Sequence, residues 1–81
     1  PFNPETTITY KIQQAEKVRL EIMDLLGRQV AVLVDEFMPA GRHIVKWNGK
    51  NDRGVWMHSG IYVVRLRVPG KVISRKITLL K

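Results

Sequence analysis

Period-two alternation of apolar and polar side chains is the feature that most constrains this chain. It is clearest over residues 17–24, where Val18, Leu20 and Ile22 alternate with Lys17, Arg19 and Glu21. Strand side chains project to opposite faces in turn. Wound at 3.6 residues per turn, the same apolar positions would scatter around a helix, so the segment reads as a half-buried strand with Glu21 on the exposed face. The pattern returns in residues 41–66. His43, Val45 and Trp47 oppose Arg42, Ile44 and Lys46, and after Gly60 the residues Tyr62, Val64, Leu66 and Val68 oppose Ile61, Val63, Arg65 and Arg67. Between these arms, Asn48-Gly49 and the run Asn51-Asp52-Arg53-Gly54 break the strand. Gly accepts positive φ, and Asn and Asp side chains bond their own backbone in turns.

The remaining segments follow the same grammar. Residues 6–12 form a first strand, with Ile8, Tyr10 and Ile12 on one face. Phe2, between two prolines, is expected to peg the start of the chain. Asp24 to Arg28 turns the chain, with Gly27 in a positive-φ position. Residues 29–34 form a third strand, apolar on both faces through Val30, Val32, Val34, Ala31 and Leu33, and so either central or covered on both sides. Residues 35–41 read as a loop. A short strand is expected between Gly54 and Gly60. Pro69-Gly70 joins the next strand to a last one over residues 71–80 as a hairpin. There Ile73, Ile77 and Leu79 share one parity and Arg75 breaks it, by a bulge or by snorkelling at an edge. Seven short strands with regular turn signals predict an all-β fold, an immunoglobulin-like antiparallel β-sandwich, as a single domain over residues 1–81. The abrupt start at Pro1 reads as a domain cut from something longer.

Charge is divided unevenly. The net charge is +7, yet residues 1–40 carry −2 and residues 41–81 carry +9, with Asp52 the single acid of the second half. Such asymmetry fits an anionic partner, or a solvated basic face that serves solubility. No cysteine is present, which excludes disulfides and thiolate metal sites.

Catalytic chemistry finds no constellation. His43 and His58 lie far apart in sequence without the carboxylates and close spacing of a zinc site. Asp24, Asp35 and Asp52 fall in turns. Ser59 and Ser74 lack the nucleophile-elbow pattern, and Gly49, Gly54 and Gly60 precede no helix that could hold a phosphate. No enzyme activity and no cofactor are expected. Trp47 and Trp56 could form a sugar or base platform. Trp47 is better placed as a core residue, and the aromatic pattern of an RNA-binding sheet is missing, so no nucleic acid is expected.

Four stretches, PFNPETTITY, VRLEIMDLLGRQVAVLV, PAGRHIVKWNGKNDRGVWMHSGIYVVRL and KVISRKITLLK, carry a combination of motifs in order. These are an Asn-Pro-Phe-Asn-Pro-like opening, a D-x-x-G-R turn (Asp24, Gly27, Arg28), and W-x-G-x-N-x-x-G (Trp47, Gly49, Asn51, Gly54), preceded by Gly41. S-G-x-Y (Ser59, Gly60, Tyr62) and a basic-apolar final strand complete the set. Together they resemble the C-terminal sorting domain of type IX secretion. The A-G-x-H and W-x-G elements are also similar to the immunoglobulin-like domain of the flagellar hook-capping protein. The chain departs from the sorting-domain pattern where Pro1 lacks the usual preceding Tyr-Pro-Asn.

The resemblance implies a non-catalytic secretion signal, read by an outer-membrane translocon after passage through the periplasm. A sortase-like protease would be a further partner, and anionic lipopolysaccharide the attachment target. The parent catalytic or adhesive domain would end at the cell surface or in the medium. Lys71, Ile73, Arg75, Lys76, Ile77, Leu79 and Lys81 of the last strand are the candidate recognition residues. The alternatives are a structural assembly module of the hook-cap type, or a carbohydrate-binding sandwich with Trp56 and Tyr62 in an exposed row.

Overall fold

The computed structural model describes residues 5–80, so the expectations for Phe2 and Lys81 lie outside the described residues. Six strands follow in order: β1 (Thr6–Ile12), β2 (Glu16–Met23), β3 (Gln29–Met38), β4 (Gly41–Trp47), β5 (Gly60–Val68) and β6 (Lys71–Leu79). They form two antiparallel sheets, a pair β1-β4 and a four-stranded sheet in the order β3-β2-β5-β6. The inward faces are the ones that alternation assigns. Val18, Leu20, Ile22, Trp47, Tyr62, Val64 and Leu66 are buried together with Ile8, Tyr10 and Ile12. Val45 is half-buried rather than buried, and packs against the margin of this core.

Six strands replace the expected seven. The segment between Gly54 and Gly60 makes a single bridge, Lys50 opposite Trp56, instead of a strand. Its backbone is used by the loop itself, and Met57 N donates to Gly49 O at 2.8 Å. The expected loop at residues 35–38 is instead the end of β3. Asp35 and Phe37 pair opposite Arg19 and Lys17, and ion pairs from Lys17 and Arg19 to Asp35 at 3.4 and 3.1 Å offset the poor strand propensity of an aspartate.

β3 is covered rather than central. It lies at a sheet edge with Val30 and Ala31 buried. Asp52 guards that edge: its N–H donates to Val30 O at 3.1 Å, and its Oδ1 accepts from Val32 N at 3.2 Å. One loop residue thus satisfies backbone groups that an open edge would leave for another chain. Asp52→Ala is expected to cost about 1 kcal/mol and to speed amide exchange at Val32. Unchanged exchange there would remove this role.

β6 pairs with β5 in unbroken register from Lys71↔Val68 to Leu79↔Gly60. The parity break at Arg75 is therefore no bulge. β6 is the opposite edge of the sheet, and Arg75 is exposed there.

Candidate recognition surface

The motif residues build the turns that hold the sandwich in shape. Asp24 closes its own turn: its Oδ1 accepts from the N–H of Leu26 and of Arg28, both at 2.9 Å, and its Oδ2 accepts from Arg28 Nε at 2.8 Å. These bonds hold the Asp24 carboxyl below its ordinary range. The backbone N–H of Arg28 contributes most, against an opposing burial effect. Gly27 takes φ 83° in the same turn, where a side chain would be strained.

The Trp47–Gly60 segment works in the same way. Trp47 Nε1 donates to Lys50 O at 2.9 Å, and Asn51 Oδ1 accepts from Arg53 N and Val55 N at 2.9 and 3.0 Å. Tyr62 packs edge-on against Trp47, with ring centroids 5.1 Å apart, and its hydroxyl donates to His58 O at 2.6 Å. Burial, with the Asp24 charge adding, pushes the Tyr62 hydroxyl pKa up. Gly41, Gly49, Gly54 and Gly60 all adopt positive φ, Gly41 and Gly60 as the first residues of β4 and β5. Tyr62 is thus buried, and it forms no exposed row with Trp56, which lies at the surface with Lys50 Nζ 4.5 Å from its ring centroid.

The recognition candidates of the last strand divide. Lys71, Ile73, Arg75 and Lys76 are exposed, and Ile77 is half-buried. Leu79 is 1% exposed and belongs to the core. It anchors the strand and is not available as a surface contact.

A groove opens beside the strand. β1 and β6 face each other across one flank of the sandwich without pairing. At one end they meet, where Thr6 Oγ1 donates to Thr78 O at 3.5 Å. Beyond this point a cleft of about 680 Å³ lies between them, floored by Leu20, Val64 and Leu66 and walled by Ile8, Tyr10 and Ile73. Its lining also includes Lys11, Arg42, Arg75 and Lys76, and no acidic residue. Among the described residues none of these four cations is in an ion pair.

The basic half of the chain is not uniformly free. Alternation correctly points Arg65 and Arg67 outward, yet both are engaged by Glu21, which sequence reasoning placed at an exposed position and which is 1% exposed. Glu21 Oε1 accepts from Arg65 Nε at 3.0 Å, Oε2 accepts from Arg19 Nε at 3.0 Å, and Arg67 Nη1 stands 3.7 Å away. Burial alone would raise the Glu21 pKa. Hydrogen bonds from Arg65 and then Arg19 outweigh it, so the carboxyl lies below its ordinary value. Reversing the charge of Arg65 would therefore disturb the fold as well as the surface field. The cations left to meet a partner on this side are those of β6 and of the groove.

The chain matches no protein-family model, and no curated protein matches it.

Proposed function

We propose that this chain is a non-catalytic sorting domain, read by an outer-membrane translocon of the type IX kind, which delivers a parent protein to the cell surface or medium. The observation that carries the reading is the ordered motif set of the sequence, from the D-x-x-G-R turn at Asp24 to the basic-apolar final strand. The structure adds a physical division of labour that suits it. The motif residues are spent on turns, and β6 is left at an edge with Lys71, Arg75 and Lys76 exposed. Exposed cations steer association with an acidic partner through a field that salt screens, with a Debye length of about 10 Å at 0.1 M and about 3 Å at 1 M.

Removing residues 71–81 from the parent should strand it in the periplasm, but it also removes Leu79 from the core and unfolds the signal. Lys71→Glu with Lys76→Glu is the cleaner variant. In the host, the substituted parent should accumulate in the periplasm while the isolated domain still melts cooperatively. With a purified translocon component, its association rate should fall and lose its salt dependence, with little change in dissociation. Normal surface delivery of the folded variant would contradict a role for these charges. Normal delivery of the truncated parent would contradict the sorting reading itself.

A further inference from the structure

We propose that the groove between β1 and β6 is a docking site for an extended peptide strand that carries carboxylates, added edge-on to β6. The inference goes beyond the export reading and stands whether or not the domain directs secretion.

Three observations carry it. The first is backbone chemistry. Among the described residues β6 pairs only with β5, and β1 only with β4, so each turns an unpaired edge toward the groove. The Thr78 carbonyl points across to Thr6. Because main-chain groups alternate sides along an antiparallel strand, the N–H and C=O of Ser74 and Lys76 lie on the same free edge. An incoming strand can satisfy them, which is how exposed sheet edges capture peptides.

The second is the apolar floor. Leu20, Val64, Leu66 and Ile73 border the groove. A strand with apolar residues at alternate positions would seat them there and turn its polar residues to the rim.

The third is charge. Lys11 and Arg42 stand directly opposite each other across β1 and β4, an arrangement that destabilises a sheet when the charges are alike. Arg75 and Lys76 border the same groove from β6. A carboxylate placed between them relieves the repulsion. A neutral strand gains nothing from these cations, and a basic one, including a second copy of this chain at net +7, is repelled. Edge lysines ordinarily discourage pairing; here they select which strand can pair.

The test uses the 81-residue chain, titrated with an acetylated peptide of alternating Glu and Val and followed by backbone amide resonances. Shifts should run along β1 and β6, and exchange at the Ser74 and Lys76 amides should slow. Methylating the peptide nitrogens that face β6 should weaken binding at least about tenfold, and replacing Glu by Lys should abolish it. The domain variant Arg75→Glu with Lys76→Glu should melt as the parent does and lose the peptide. No shifts at millimolar peptide would overturn the proposal. Equal binding of the N-methylated peptide would overturn it too, because backbone pairing would then not be the mode. Phosphatidylglycerol vesicles that shift the same residues while the peptide does not would assign the groove to a lipid surface instead.

Discussion

Trp47→Ala is expected to unfold the domain or leave it barely folded. The side chain is 1% exposed and stands where the two sheets and the long loop meet. Its ring packs against Tyr62, and its indole N–H holds Lys50 O. Truncating a buried Trp costs about 3–5 kcal/mol, while domains of this class hold only about 5–15 kcal/mol, with the smallest at the low end. At about 4–8 °C per kcal/mol for a domain of this size, the melting temperature should fall by more than about 12 °C. Trp47→Phe separates packing from the hydrogen bond: it keeps a ring but leaves the Lys50 carbonyl without its donor, at about 1–2 kcal/mol. The check is a thermal melt by circular dichroism. A cooperative transition within a few degrees of the parent for Trp47→Ala would remove Trp47 from the centre of the core.

The second large effect concerns Glu21. Glu21→Gln keeps the shape of the side chain and removes its charge, leaving Arg19, Arg65 and Arg67 gathered around a neutral amide. Removing one member of a fully buried pair costs about 3–5 kcal/mol. These guanidinium groups keep a third to a half of their surface in water, so the expected cost is lower, about 2 kcal/mol. The pH dependence gives the sharper signature. The folded carboxyl titrates below the ordinary value of 4.5. Its contribution is therefore fully present above that value and is lost as pH falls through the lower folded value. Denaturant midpoints of parent and Glu21→Gln should differ at neutral pH and converge as the pH is taken well below 4.5. A difference that stays constant down the acid limb would show that the charge of Glu21 does not carry the effect.

The residues that alternation could reach were legible: the inward faces of β2, β4 and β5, the Gly27 turn and the Pro69-Gly70 hairpin all follow from local chemistry. Glu21 was placed on the correct face and given the wrong environment. Period two determines which way a side chain points, but what covers it depends on strands far away in sequence. Here the cover comes from Arg65, brought opposite Glu21 by the β2–β5 register. A signal was present in the spacing. Arg19 and Glu21 share one face of a strand, and Arg65 and Arg67 share one face of another, so pairing those strands assembles complementary charges. The Asp52 clip on β3 carried no such signal, because a turn aspartate reads the same whether it bonds its own loop or a distant edge. The β1–β6 groove is a property of sheet packing and depends on which edges are left open by the strand order.

The central claim is that these 81 residues are by themselves a sufficient address for export. A reporter with a secretory signal peptide should be fused to residues 1–81 and expressed in a bacterium that has the type IX apparatus, and in the same strain without its translocon. The account predicts reporter on the surface or in the medium in the first strain and confined to the periplasm in the second. The reporter alone should be periplasmic in both. A fusion retained in the periplasm of the intact strain, or released equally with and without the translocon, would contradict it.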